Sequence, residues 1–487
     1  MSNSLMPIEW ALVKIDDVAE VKGGKRLPQG RVLSDEKTNF PYLRVTDFKN
    51  GSVDTSNLKY LDEETQHLIK QYTISSEDLY ISIAGTIGLV GEIPDFLNGA
   101  NLTENAAKLC NLNGVYKSYL RYVLNGNGAI EQFEDKMTSS GQPKLALFRI
   151  KDCLFPLPPL AEQKVIAEKL DTLLAQVDNT KARLERIPDI LKRFRQSVLA
   201  AAVSGKLTEE WRKENALPAV GFAHNKKLPV IEETDQYSDS VNNWVWVRLG
   251  SIIDLINGDR GKNYPNQSEY VEVGIPFINT GHIDPDGTLS DERMNYISKE
   301  KYDILGGGKT KSNDLVYCLR GATMGKTARV HYDLGAIASS LVIVRPRPEI
   351  ERDFAYYFLI SPQSKKLITE FDNGSAQPNL SAKSLACYPI QLPPKVEQTE
   401  LVRRVEELFA FADRVEHAAQ SALSRVNNLT QSILAKAFRG ELTADWRAAN
   451  PELISGEHSA EALLAKIKTE RAKLSQTKKG RGKSVEN

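Results

Sequence analysis

The sequence predicts an α+β fold: two mixed α/β globular domains separated by a long antiparallel two-helix coiled coil, built on an internal pseudo-two-fold repeat. Three observations carry this. Leu157-Pro158-Pro159 with Glu162-Gln163 returns about 235 residues later as Leu392-Pro393-Pro394 with Glu397-Gln398. Gly205-x-Leu207-Thr208-x-x-Trp211-Arg212 returns as Gly440-x-Leu442-Thr443-x-x-Trp446-Arg447 at the same offset. Between these phrases the apolar period changes from two to 3.5, the change expected where strands give way to helices that pack on one another. A tandem duplication lets one chain imitate a symmetric dimer and present two similar surfaces.

Each repeat opens with a Trp and a strand-like phrase, Trp10-Ala11-Leu12-Val13-Lys14-Ile15 and Trp244-Val245-Trp246-Val247-Arg248-Leu249. Short β-prone runs then alternate with Gly, Asn, Asp and Pro breaks. Pro41–Val45 and Ile275–Asn279 occupy equivalent places, as do Asp78–Ile83 and Asp314–Leu319, each of the last two ending near a glycine. The boundaries expected are domain one at 1–155, a helical region at 156–212, a linker at 213–243, domain two at 244–390, a second helical region at 391–447 and a helical, basic tail at 448–487.

After each Leu-Pro-Pro, where proline blocks one helix and permits another to begin, a seam runs at steps of four and three. The first seam is Ile166, Leu170, Leu173, Val177, Thr180, Leu184, Ile187, Leu191, Phe194 and Val198. The second is Leu401, Val405, Leu408, Ala412, Val415, Ala419, Ala422, Val426, Leu429 and Ile433. Bulky residues in one and alanines in the other favour pairing with each other; the alternative is two amphipathic helices each lying on its own domain. A helix over 161–204 would span ~66 Å at 1.5 Å per residue, which suits a spacer. Pro188 interrupts the first seam and must kink or break that helix, whereas the second repeat has Leu423 there.

A chain of 487 residues with 41% hydrophobic and 26% charged residues reads as several soluble globular domains. No apolar run approaches the roughly 20 residues of a membrane span, and Met1-Ser2-Asn3-Ser4-Leu5 has no leader pattern, so the cytoplasm is expected and no membrane contact. Cys110, Cys153, Cys318 and Cys387 show no metal-ligand spacing and read as buried thiols. The zero formal net charge excludes an overall electrostatic grip on nucleic acid and leaves local patches. The basic run Lys478-Lys479-Gly480-Arg481-Gly482-Lys483 reads as solvated, with a nucleic-acid or partner contact as the alternative.

Catalytic patterns fail. Gly321-Ala322-Thr323-Met324-Gly325-Lys326-Thr327 imitates a phosphate loop, but only three residues separate its glycines and no helical period follows, so a β-turn with a groove-facing Lys326 is expected. The two Pro-Pro pairs both follow Leu, unlike the catalytic loop of an adenine methyltransferase. No carboxylate cluster or nucleophile set suggests a nuclease or hydrolase, and no metal site is expected. What remains is binding. The first domain carries Lys22, Lys25, Arg26, Arg31, Arg44, Thr46, Ser139, Gln142 and Lys144. The second carries Arg260, Lys262, Asn263, Asn279, His282, Lys309, Lys311, Arg320, Lys326, Gln377 and Asn379. Arg and Lys address guanine O6 and N7 or phosphate, Asn and Gln pair with adenine N6 and N7, and nearby glycines let backbone approach a groove.

The Leu-Pro-Pro-x-x-Glu-Gln phrases, the duplicated heptad helices and the Gly-x-Leu-Thr-x-x-Trp-Arg phrases together resemble the specificity subunit of type I restriction-modification systems. Residues 160–171 and 427–443 are similar to its enterobacterial type IA branch. The resemblance implies two target-recognition domains, each reading half of a split, asymmetric site on double-stranded DNA, with the paired helices fixing the unread spacer. It also implies docking of two modification subunits that carry S-adenosylmethionine, and recruitment of restriction subunits that use ATP and Mg²⁺. This chain itself would hold no cofactor and do no chemistry. The family gives no residue-by-residue code for the loops, so the site residues above rest on side-chain type alone.

Overall fold

The computed structural model describes residues 6–135, 143–222, 225–371 and 379–482, with side chains to 473. The chain divides into two compact units, Met1–Glu185 with Ser421–Asn487, and Arg186–Gln420. Each unit thus joins one globular domain to a helical stretch from its own repeat and another from the other repeat.

In the first unit the chain enters on strand Ala11–Lys14 and leaves on Leu154–Leu157, which pair antiparallel. Between them lie two four-stranded sheets. One, ordered Glu20–Gly23, Ala106–Cys110, Leu79–Ser82 and Val90–Glu92, is antiparallel throughout. Its strand Leu79–Ser82 is buried at all four residues, so both of its faces are covered. The other sheet is ordered Lys59–Tyr60, Pro41–Leu43, Ala100–Leu102 and Thr73–Ile74, and its central pair is parallel, with Leu43 beside Leu102.

The second unit repeats this plan. Val245–Arg248 pairs with Pro389–Leu392. One sheet is ordered Ile253–Asn257, Leu341–Pro346, Leu315–Cys318 and Thr327–Arg329. The other is ordered Tyr270–Val271, Asn295–Ile297, Ile275–Ile278, Gly335–Ile337 and Lys309–Thr310, one edge strand more than its counterpart, and again has a parallel centre, with Ile278 beside Ile337. All four cysteines are free thiols, three of them buried.

The helical regions form as the period requires, with one interruption. Lys395–Phe438 is a single helix of 44 residues, whereas the first region is Leu160–Glu185 followed by Ile187–Val203. Arg186 is the break. Pro188 falls at the start of the new helix, where its missing N–H deprives no carbonyl of a partner. Of the seam residues, Leu170, Val177, Leu191 and Val405 are buried and Leu173, Leu184, Leu408, Val415 and Val426 half-buried. Leu429 is 44% exposed, so the seam thins toward that end. In the first unit Ile166 and Leu170 share a core with Leu434, Ala437 and Phe438. In the second, Val198, Leu199 and Ala202 share one with Leu401 and Val405, and Arg195 forks onto Asp413 (2.6 Å) and Glu416 (2.8 Å).

The repeated phrases meet by exchange. Glu162 is fully buried and accepts from Trp10 Nε1 (2.7 Å), Thr443 Oγ1 (2.6 Å) and Arg447 Nη1 (2.6 Å). Glu397 is also fully buried and accepts from Trp244 Nε1 (2.7 Å), Thr208 Oγ1 (2.7 Å) and Arg212 Nε (2.9 Å). Trp and Glu come from one repeat, Thr and Arg from the other. Beside them Gln163 donates to Pro158 O (2.9 Å) and accepts from the Tyr116 amide (2.7 Å), and Gln398 does the same with Pro393 O (2.9 Å) and the Glu351 amide (2.7 Å). Lys169 caps Leu442 O in the first unit, as Arg404 caps Leu207 O in the second.

Two tail segments are more engaged than their polar composition suggested. In 213–243, Asp235 grips Arg248 (2.6 Å), whose guanidinium also donates to Pro229 O and Val230 O. The final helix is Ala460–Gly482, within the tail expected to be helical. It is pinned to the first unit by buried Ile467, by Asn113 donating to Glu470 (2.7 Å) and by Arg471 donating to Ala19 O (2.9 Å).

Glu162→Ala should destabilise the protein by about 3–5 kcal/mol, because it leaves the largely buried Arg447 guanidinium without its counter-charge. Thr443→Ala should cost less, about 1.5–3 kcal/mol, the value of one hydrogen bond to a charged group. Denaturant unfolding compares them, and equal small losses would contradict a buried charge centre.

Candidate nucleic-acid interface

Parallel strands finish on the same side, so the two central pairs each deliver a pair of loops to one edge. In the first unit Arg44–Thr46 and Thr103–Asn105 emerge together, joined by Thr103 N donating to Leu43 O (3.1 Å). Backbone bonds add three further segments: Gly24 N to Ala106 O (3.0 Å) and Lys25 N to Leu102 O (2.9 Å), Ile83 N to Asn105 O (2.8 Å), and Leu145 N to Ile83 O (2.9 Å). Ala84 and Lys144 form an isolated β-bridge. In the second unit Ala338 N donates to Ile278 O (2.8 Å), Leu319 N to Ser340 O (3.0 Å) and Leu380 N to Leu319 O (3.0 Å). Arg320 and Asn379 form the matching bridge.

Glycine is required at one point in each frame. A Cβ on Gly24 would lie 2.0 Å from Thr103 O and 2.4 Å from Leu102 O; one on Gly258 would lie 2.8 Å from both Ile337 O and Ala338 O. These are backbone atoms with no freedom to retreat. The turn after each third strand also needs left-handed residues, Gly85 and Gly88 in one unit and Gly321 (φ 80°) and Gly325 (φ 86°) in the other. Gly325 N donates to Cys318 O (2.9 Å) and the chain returns as antiparallel strand Thr327–Arg329. The phosphate-loop look-alike is therefore a β-hairpin, with Lys326 exposed at its end.

The side chains named from the sequence distribute unevenly over this frame. In the first unit Lys25, Arg26, Arg44, Thr46 and Lys144 belong to the edge. Arg26 is ion-paired with Glu104 (2.8 Å), and that carboxylate raises its pKa. Arg44 is forked onto Asp47 (2.7 and 3.1 Å) and donates to Asn57 O (2.7 Å), which makes it a turn cap. Lys25 stands 5.5 Å over the Tyr72 ring. Lys22 pairs with Glu20 (2.7 Å) and lines a separate polar hollow with Lys108 and Lys164; Arg31 pairs with Glu64 on the outer helix. Ser139, Gln142 and Gln377 lie outside the described residues.

In the second unit Arg260, Asn279, Arg320, Lys326 and Asn379 belong to the edge, and Lys262 is exposed on the loop that follows Arg260. Arg260 reaches Ser339 O (3.4 Å), Asn279 caps its own turn by accepting from the Gly281 amide (2.8 Å), and Asn263 donates to Ile304 O (2.8 Å). Lys309 donates to Asp303 O (3.1 Å) over the Tyr302 ring, and Lys311 is exposed beyond the far end of its strand. His282 is a correction. It is 4% exposed, its Nδ1 accepts the Asn279 amide (3.1 Å), and burial holds its pKa below the usual histidine range, so it is a structural cap like Asp47 at the equivalent place. Two contributors escaped the sequence reading, the Thr103–Asn105 and Ala338–Ser340 segments, whose backbone carbonyls organise the edge. Their composition is ordinary and nothing local marks them.

Among the described residues no group of three or more His, Cys, Asp or Glu side chains is placed to hold a metal ion. No helix among them is long and apolar enough to cross a membrane. A family model described as "Type I restriction modification DNA specificity domain" matches residues 7–189 and again 242–425. The chain is 37% identical over 477 residues to the type I restriction enzyme EcoBI specificity subunit of Escherichia coli, covering 96% of this chain and 94% of that one. It is 36% identical to the EcoKI specificity subunit of Escherichia coli strain K12, over 99% of this chain and 100% of the other. A crystal structure of the HsdS subunit from Thermoanaerobacter tengcongensis shares the fold, with a TM-score of 0.59 and 21% identity over 90% of this chain and 98% of its own.

Gly24→Ala should cost about 1–3 kcal/mol through overpacking against backbone. Gly221→Ala, with open space around it, should stay within about 0.5 kcal/mol. Thermal melting of the two variants side by side checks the difference.

Proposed function

Because the chain belongs to the type I restriction-modification DNA specificity family, with the enterobacterial type IA branch, we propose that its two globular domains each read one half of a split, asymmetric site on double-stranded DNA. The observation that carries this reading is the pairing of like frames with unlike loops. Three backbone bonds of one edge recur at equivalent places in the other, yet one bridge bears Ala84 and Lys144 and the other Arg320 and Asn379. Two readers of different half-sites need this arrangement. A protein scaffold would gain nothing from diversifying equivalent loops on a preserved frame.

The helices supply distance. Leu160–Glu185 and Ile187–Val203 pack against Lys395–Phe438 as one antiparallel coiled coil, and its length sets the unread spacer. Contacts inside the second unit support the direction: Arg195 meets Asp413 and Glu416, while Leu207, further along, meets Arg404, earlier in its helix. The same helices dock two modification subunits, which bring S-adenosylmethionine and methylate an adenine in each half-site. Restriction subunits using ATP and Mg²⁺ join that assembly. This chain contributes the address and its partners the chemistry, as expected of a specificity subunit.

Purified with its modification subunits, the chain should protect a bipartite sequence with an affinity that falls steeply with salt, as phosphate neutralisation requires. Sequence-independent protection would favour a scaffold, and methyl transfer by the chain alone would favour an enzyme. Exchanging residues 1–155 for those of another member should change one half-site only. Deleting seven residues from each helix removes about 10 Å, the rise of roughly three base pairs. Methylation mapping should then show a shorter accepted spacer with both half-sites unchanged; an unaltered spacer would refute the ruler.

A further inference from the structure

An arginine reads a base only if its fork is uncommitted and its backbone is held still. At the edge of the first domain Arg26 is spent on Glu104 and Arg44 on Asp47. Arg320 differs: it is exposed, and no carboxylate among the described residues pairs with it. Its backbone is fixed from both sides. Leu319, 1% exposed, donates to Ser340 O and accepts from Leu380 N, and Leu380 is likewise 1% exposed. Strand alternation therefore turns Arg320 and its bridge partner Asn379 away from the core, side by side. The next residue, Gly321 with φ 80°, begins the hairpin turn, so Arg320 is the last residue before the chain reverses.

The first domain builds the same platform. Ile83 is 4% exposed and Leu145 is fully buried; Leu145 donates to Ile83 O, and the outward pair is Ala84 and Lys144. We propose that this cross-strand pair is the specificity-determining position of each domain, and that in the second domain Arg320 and Asn379 read a guanine and an adenine in adjacent base pairs. The proposal rests on the reading of both edges as DNA-binding. Arginine forks onto guanine O6 and N7, and asparagine pairs with adenine N6 and N7 in the major groove, which admits a two-stranded ribbon. Cross-strand neighbours stand about 4.5–5.5 Å apart, near enough to the ~3.4 Å rise of B-DNA for two successive steps. Ala84 offers instead a small apolar contact suited to a thymine methyl, and Lys144 a single point charge. The two half-sites would differ at this step for that reason.

The test uses the full chain assembled with its modification subunits, and a DNA library randomised in one half-site at a time. Arg320→Ala and Arg320→Gln should both lose discrimination at one G·C pair of the second half-site, on the order of 10- to 100-fold. Asn379→Asp, equal in shape but unable to donate, should lose it at the neighbouring A·T pair. The first half-site should read as before in all three. A phosphate contact would lower affinity while leaving the base preference of both Arg320 variants intact, and that result overturns the proposal. Equal weakening at every base, or melting temperatures that fall with selectivity, would overturn it also. A wild-type assembly without any bipartite preference would sink the broader DNA-reading function first.

Discussion

Two carboxylates buried at the start of the long helices are the constraint on which the rest depends. Taking Glu162 or Glu397 out of water costs several kcal/mol, and that cost is offset only while an indole N–H, a hydroxyl and a guanidinium converge on its two oxygens. The cation is drawn from the other repeat in both cases. A repeat folded alone would hold an uncompensated buried charge, so the duplicated sequence resolves into two units only when the repeats exchange their Thr-x-x-x-Arg segments. Arg447 and Arg212 also lie 5.7 and 5.5 Å over the rings of Trp10 and Trp244, adding an attraction that lysine would supply less well.

Around those anchors the two domains keep what backbone geometry demands and vary the rest. Gly24 and Gly258 stay glycine because a carbonyl occupies the space of a Cβ. The turn after each parallel strand needs an acceptor for the amide at its start, and Asp47 and His282 serve equally well. Such substitution shows that the turn requires a lone pair and not a particular residue. Positions that face outward from this frame, such as 84 and 144 or 320 and 379, carry no such demand and are free to differ.

Periodicity and offset made much of this legible. The strand frame, the seams and the interruption near Pro188 follow from local rules that act over a few residues. The exchange was invisible for a physical reason: a repeat offset shows that Glu162 and Glu397 are equivalent, but not which Arg each one meets, since that depends on contacts 285 and 185 residues apart in sequence. Side-chain type likewise names cations without showing that Glu104, Asp47 and Glu64 already hold Arg26, Arg44 and Arg31. His282 was chosen for its ring and is buried. Long-range partners decide which polar side chains stay available, and composition carries no record of them.

The pairing of charges explains how a DNA reader functions with zero formal net charge. Non-specific affinity for DNA comes almost wholly from uncompensated cations facing phosphates, and it competes with the true site at every position of a genome. Ion-pairing Arg26, Arg31 and Arg44 to carboxylates of the same domain removes part of that attraction while leaving the fold and its shape intact. Selectivity improves because the hydrogen-bond pattern of the bases survives at the correct site and the background weakens everywhere else. The cost is affinity, since each cation paired within the chain is one fewer facing a phosphate.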